Sequence, residues 1–117
     1  MRIVRRGSHA LVIGGPVPPG SDAITIWRFI FIRPEAANSE YLLRHELVHV
    51  RQWRRYGVAG FSIRYITPYL KWRLAGKGHR GAYLRIPFEI EADWVARRTL
   101  AAERAVAETD NLRAPLS

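Results

Sequence analysis

Residues 44–49 read RHELVH and contain the pattern H-E-x-x-H, on which the interpretation of the whole chain depends. A helix advances about 100° per residue, so His45 and His49 lie one turn apart and point in the same direction. Two imidazoles in this arrangement can bind one tetrahedral zinc ion, and Glu46 lies close enough to polarise a water molecule there. The alternative is a polar stripe on an ordinary amphipathic helix.

The predicted helix that carries this pattern has recognisable ends. Asn38 or Ser39 can cap its N-terminus, and Glu40 falls in the first turn, where the helix dipole favours an anion. We expect the helix to end after Tyr56, at Gly57. The site side of the helix and its core side are distinct. The first carries Leu42, His45, His49, Gln52 and Tyr56, and the second carries Leu43, Leu47 and Val50.

The segment before this helix predicts a small sheet. Residues 1–6 and 9–13 have the pattern of two short strands, and a loop rich in proline and glycine follows at residues 14–20. Residues 22–33 are dense in β-branched and aromatic side chains and end at Pro34, which predicts a strand or a hairpin.

The segment after the helix predicts further helical structure. Residues 61–74 are rich in aromatic side chains and are expected to be helical, with a kink or a break at Pro68. A flexible loop is expected at residues 76–81, and a last helix from about Phe88 to Thr109. We therefore predict a single domain over residues 1–109, followed by a flexible tail at residues 110–117.

The last predicted helix offers a third metal ligand. Glu89 and Asp93 are spaced i, i+4, so they share a helix face that otherwise carries alanine and leucine. Two carboxylates on such a face would be costly to bury unless they were paired. The natural assignment makes Glu89 the ligand and Asp93 the acceptor that orients one of the histidines. The alternative is that both are surface carboxylates paired with Arg97 or Arg104.

His45-Glu46-x-x-His49, followed some forty positions later by Glu89-x-x-x-Asp93, resembles the gluzincin metallopeptidases, the thermolysin-like clan, and most closely their minimal members. The resemblance covers about residues 24–105. It implies a zincin-like α+β fold, in which a small antiparallel sheet packs on the metal-binding helix and two further helices follow. It also implies one Zn²⁺ per chain, held by His45, His49 and Glu89.

The same resemblance implies hydrolysis of peptide bonds by a water that zinc activates, with Glu46 as the general base. Such a reaction needs a hydrogen-bond donor for the developing oxyanion. Tyr83 and His79, shortly before Glu89, are the convenient candidates for this catalytic role. The alternative interpretation makes Tyr83 a residue at the edge of the core and His79 a solvated loop side chain.

This chain departs from the full-size gluzincins after Glu89, where it has one helix and a tail in place of their C-terminal subdomain. The expected partner is a peptide or protein substrate, with the cleft completed by another chain if necessary. The alternative function is a metal-binding zincin-like module that acts in protein interaction with little or no catalysis.

Composition restricts the remaining possibilities. The chain of 117 residues contains no cysteine, so a metal must take nitrogen and oxygen ligands. Its formal net charge is +9, but it contains no zinc-finger, RNP or helix-turn-helix pattern, and no specific nucleic-acid partner is expected.

Trp72 with its basic neighbours can form a membrane-surface patch, although covering the core is the favoured interpretation. No signal peptide or membrane span is evident, which gives a cytoplasmic location as the expectation.

Overall fold

The computed structural model describes residues 1–113, which form an α+β domain with one four-stranded sheet and three helices. The strands are β1 (Arg2–Arg5), β2 (Ala10–Ile13), β3 (Ala23–Ile26) and β4 (Phe29–Ile32). The helices are α1 (Glu40–Leu74), α2 (His79–Tyr83) and α3 (Pro87–Arg113), and a 3-10 turn at Pro34–Ala36 precedes α1. Within the described range, no helix is both long and apolar enough to cross a membrane.

The sheet is mixed, so the prediction of an antiparallel sheet is wrong. Its strand order is β1-β2-β4-β3, with antiparallel pairs at both edges and a parallel pair between β2 and β4. The hairpin of β3 and β4 brings β4 alongside β2 in the same direction. Burial explains this order, because Ile30 and Ile32 of β4 are fully buried at the centre, whereas Ile26 of β3 is half exposed at an edge.

Helix α1 begins where the sequence predicted. The Ser39 side chain accepts a hydrogen bond from the Leu42 backbone N–H at 3.2 Å, and Glu40 occupies the first turn. The predicted stop at Gly57 is a sharp break, with φ 73° and ψ 175°, after which the helix resumes. The two predicted helical segments are therefore one element bent at Gly57, and Pro68 lies inside its second half.

The bend at Gly57 lets the two halves of α1 pack on each other through aromatic rings. Phe61 stacks on Trp53 with ring centroids 4.0 Å apart, and it also stacks on Tyr65 of its own half. Phe88 of α3 completes the cluster at 5.3 Å from Phe61. Stacked rings at these distances add to the stabilisation that burial of their area provides. The second half of α1 is thereby held against both the first half and α3.

The C-terminal third differs from the prediction mainly in its loop. A short helix, α2, forms over His79–Tyr83, where the sequence predicted a loop as far as residue 81. Helix α3 begins at Pro87 as expected and continues past Thr109 to Arg113. Residues 114–117 of the predicted tail lie outside the described residues. Ala92, Ala96 and Leu100 are buried where α3 packs against α1, which matches the predicted core face.

We expect Gly57→Ala to lower the free energy of unfolding by about 1–3 kcal/mol, measured by urea denaturation. The cause is backbone strain, since a side chain at φ 73° and ψ 175° is disfavoured although no atom lies within 4 Å of the added Cβ. Gly7→Ala is the matched control, because its Cβ also meets open space and its φ lies outside the strained region. Equal effects of the two substitutions would refute the explanation by strain.

Candidate metal centre

Three predicted ligands converge between α1 and α3. His45 Nε2 lies 2.8 Å from Glu89 Oε1, and His49 Nε2 lies 3.1 Å from the same oxygen. Their ligand atoms all lie within 4.8 Å of one another. Metal–ligand bonds of about 2.0–2.1 Å in a tetrahedral zinc site place neighbouring ligand atoms roughly 3.3 Å apart. The three side chains could therefore hold one metal ion with small adjustments.

Glu89 is a buried carboxylate, 7% exposed, whose environment favours its ionised form. Burial alone raises its pKa, but the hydrogen bonds from His45 and His49 outweigh that effect and lower the pKa. The pKa of His49 is raised in turn, because its contacts with Glu89 outweigh the opposing effect of burial. The buried Glu89 carboxylate thus favours positive charge at the position between it and the two imidazoles. A cation site requires such an environment.

Gln52 fixes the orientation of the second histidine. Its amide nitrogen donates to the Phe88 carbonyl at 3.1 Å, so its oxygen Oε1 faces His49 Nδ1 at 2.8 Å. His49 Nδ1 therefore carries a proton, and Nε2 is the nitrogen that faces Glu89 and would be available to a metal ion. Such a partner typically raises the metal affinity of a histidine ligand. This role of Gln52 was not predicted, although Gln52 lies on the same predicted helix sector as His49.

Asp93, the predicted orienting acceptor, accepts hydrogen bonds from the Tyr41 hydroxyl and from Arg97 Nε, the latter at 3.0 Å. Tyr41 packs beside His45, with ring centroids 5.9 Å apart. His45 Nδ1 is buried and has no hydrogen-bond partner among the described residues. Asp93 is thus connected to His45 through Tyr41. Asp93 also forms an ion pair with Arg97, as the alternative interpretation expected.

The hydrogen bond between Tyr41 and Asp93 has electrostatic consequences for both groups. Burial, followed by the contact with Asp93, raises the pKa of Tyr41 to about 12. The same hydrogen bond is the main cause that lowers the pKa of Asp93. Tyr41 is therefore a neutral donor and Asp93 an ionised acceptor near neutral pH.

Glu46, the predicted general base, is held apart from the three ligands. It is 5% exposed, and its Oε2 accepts a hydrogen bond of 2.6 Å from the Thr25 hydroxyl of β3. Thr25 also contacts the Glu46 backbone carbonyl at 3.3 Å, so it positions both ends of the residue. This contact joins the sheet to the helix that carries His45 and His49. Sequence reasoning missed Thr25, whose only signal was a hydroxyl within an apolar strand.

A cleft of about 330 Å³ opens beside these groups, between β3 and the second half of α1. Glu46, His49 and Glu89 line it, together with Tyr65 and Tyr83. The Tyr65 hydroxyl donates to Glu89 Oε2. Burial and the nearby Glu89 carboxylate raise the pKa of both tyrosines, which therefore keep their protons near neutral pH. Tyr65 was not predicted, because the bend at Gly57 is what brings it to the site.

The two predicted oxyanion donors are placed differently. Tyr83 lines the cleft and also packs against the hydrophobic core cluster of Phe61, Ile86 and Phe88. His79 is exposed at the start of α2, and its Nδ1 lies 2.9 Å from the Tyr69 hydroxyl. Tyr83 is thus close to the proposed chemistry, whereas His79 contacts a tyrosine outside the cleft lining.

Comparison of this chain with protein-family models, with curated protein sequences and with solved structures finds no match.

We expect Gln52→Ala to weaken zinc binding by about 10–100-fold, because His49 loses the acceptor that fixes its protonated nitrogen. Competition with a chromophoric chelator measures the dissociation constant. Thr99→Ala is the control, since the Thr99 hydroxyl bonds only to carbonyls of its own helix. Unchanged affinity in Gln52→Ala would show that Gln52 does not support the site.

Proposed function

We propose that this chain is a small zinc-dependent metallopeptidase with a zincin-like site. The observation that carries the proposal is the convergence of His45 Nε2, His49 Nε2 and a Glu89 oxygen, with the separate carboxylate of Glu46 lining the adjoining cleft. A ligand set and a nearby unligated carboxylate are the two parts that hydrolysis at a metal centre needs.

Zinc suits the donor set. Two imidazole nitrogens and one carboxylate oxygen form the three-ligand arrangement of catalytic zinc sites, which leave one position open for water or substrate. The chain has no cysteine, so the fourth ligand of a closed thiolate site is not available. Bound zinc would lower the pKa of a water molecule and polarise the substrate carbonyl.

Glu46 is the group that would move the proton. A general base must lie within hydrogen-bond reach of the attacking water, and Glu46 lines the same cleft as His49 and Glu89. Its hydrogen bond to Thr25 restricts the rotation of the carboxylate. The residue that takes a proton from water can return it to the leaving amine, so one carboxylate would serve both halves of the reaction.

The cleft fits an extended peptide. Strand β3 forms one wall and is an edge strand, so its outer backbone groups can pair with a substrate strand. Ile24, Ile26, Phe61 and Ile66 contribute apolar surface to the lining. We therefore propose a substrate with an apolar side chain near the scissile bond. Tyr65 and Tyr83, neutral near the site, would supply donors for the developing oxyanion.

A metal-binding module without turnover is the second candidate. The observation that favours it is the position of the ligands, which join the first half of α1 to α3 through buried side chains. A metal bound there would stabilise the packing of these two helices even without catalysis. Both candidate functions require the bound metal, and only the first requires hydrolysis of a peptide.

We expect purified wild-type protein to contain about one zinc ion per chain and Glu89→Ala to contain almost none. Glu89 supplies the oxygen ligand between both histidines, so its loss leaves only two ligands. Metal analysis by mass spectrometry measures the content, and Glu103→Ala, an exposed carboxylate on the same helix, is the control. A metal-free wild-type protein that takes up no added zinc would refute both candidate functions.

We expect Glu46→Gln to lower the rate of hydrolysis of a quenched-fluorescent peptide library by about 10²–10⁴-fold while zinc remains bound. The amide keeps the shape of the side chain but cannot accept the proton. Glu40→Gln, exposed in the first turn of the same helix, is the matched control. Equal hydrolysis by Glu46→Gln and wild type would refute the role of Glu46. Zinc binding without turnover in the wild type would favour the non-catalytic module.

A further inference from the structure

The second half of α1 has an apolar outer face that no other element within residues 1–113 covers. We call Ile63, Ile66, Leu70 and Leu74 the outer stripe, and these side chains are between 51% and 88% exposed. Their spacing of three, four and four residues places them on one side of the helix. A solvated helix face normally carries polar side chains, so four exposed aliphatic residues along one face suggest a binding surface.

The outer stripe is not part of the domain core. The opposite side of the same helix carries Phe61, Tyr65 and Tyr69, which pack in the aromatic cluster with Phe88. This segment therefore has one apolar face for the core and a second one directed outward. The second face needs an explanation other than folding.

Positive charge is concentrated in the part of the sequence that contains the outer stripe. Residues 47–88 contain nine lysine and arginine residues and no acidic residue, whereas the rest of the chain carries ten basic and ten acidic residues. The net charge of +9 thus arises entirely from this segment. At about 100° per residue, Arg64 and Lys71 flank one side of the outer stripe and Arg73 flanks the other. Long cationic side chains at both borders can reach a charged plane while the aliphatic groups enter an apolar layer.

We propose that the outer stripe docks on the surface of a bilayer that contains anionic lipids, with the helix lying in the plane of the interface. Aliphatic groups would enter the acyl boundary, and the flanking cations would contact lipid phosphates. This mode of binding needs no membrane-spanning helix. It does not depend on the proposed hydrolysis.

The chemistry of the surface favours lipid over the other partners. A nucleic acid would be attracted by the same cations, but it offers no apolar layer for Ile63, Leu70 and Leu74. A second copy of this chain would bring two strongly basic segments together, and their repulsion would oppose association. A bilayer with anionic headgroups matches both the charge and the aliphatic face.

The hairpin of β3 and β4 supplies a second contact. Trp27 at its tip is half exposed and lies under the Arg28 guanidinium at 5.4 Å, a pairing of indole and cation that suits the headgroup region. The neighbouring Ile26 lines the cleft together with Ile66 of the outer stripe. The cleft therefore opens between two apolar edges, and docking would hold it next to the lipid surface.

Sedimentation with large unilamellar vesicles tests the apolar part of the proposal. We expect wild-type protein to bind vesicles of phosphatidylcholine with phosphatidylglycerol and to bind pure phosphatidylcholine weakly. The double variant Ile63→Ser, Leu70→Ser should lose about tenfold or more in partitioning. The matched control is Ile90→Ser, Val106→Ser, at positions that are 55% and 60% exposed on α3, and it should bind as the wild type does. Circular dichroism checks that each variant is folded.

A second pair of variants tests the charge and remains informative if the stripe variant fails to fold. Lys71→Gln, Arg73→Gln should reduce binding to anionic vesicles on the order of tenfold, whereas Arg98→Gln, Arg104→Gln on α3 should change it little. Absence of binding to anionic vesicles, or binding that loss of the stripe leaves unchanged, would overturn the proposal. So would stripe-dependent self-association in sedimentation equilibrium, or binding to an RNA or DNA oligonucleotide that outcompetes the vesicles.

Discussion

The structure depends on one buried contact, in which the carboxylate of Glu89 faces the Nε2 atoms of His45 and His49. Removing a carboxylate from water is costly, so it must be compensated by positive charge and hydrogen bonds. That requirement sets the distance between α1 and α3 at the site. Ala92 and Ala96, both fully buried, are small enough to let the helices approach that closely. The candidate metal ligands and the packing of α1 on α3 therefore depend on the same contact.

The bend at Gly57 determines what surrounds that contact. Without it, α1 would continue as a straight rod, and Tyr65 would lie about 24 Å along the helix from His49. With the bend, Tyr65 donates to Glu89, and its ring packs 6.3 Å from that of His49. One helix thereby supplies both the histidine ligands and the opposite wall of the cleft. A single backbone conformation that favours glycine thus places the H-E-x-x-H motif beside a cleft lined by both halves of the helix.

The sequence predicted what local periodicity controls and missed what depends on distant contacts. The shared direction of His45 and His49 follows from the helix alone, and Glu89 was found because a carboxylate on an apolar face needs a partner. The parallel pairing of β2 with β4 depends on contacts between segments that are distant in the sequence. No local pattern encodes such contacts. Thr25 and Tyr65 acquire their roles only through tertiary packing. A hydroxyl within an apolar strand or an aromatic-rich helix does not indicate which distant residue it contacts.

The candidate metal centre does not explain the absence of acidic residues between positions 47 and 88. Burial raises the pKa of Glu89, but hydrogen bonds from His45, His49 and Tyr65 outweigh that effect and favour the ionised carboxylate. Those hydrogen bonds also give no reason for the exposed aliphatic residues of the outer stripe. An apolar face bordered by cations suits a partner that is itself apolar and anionic, and a lipid surface has both properties.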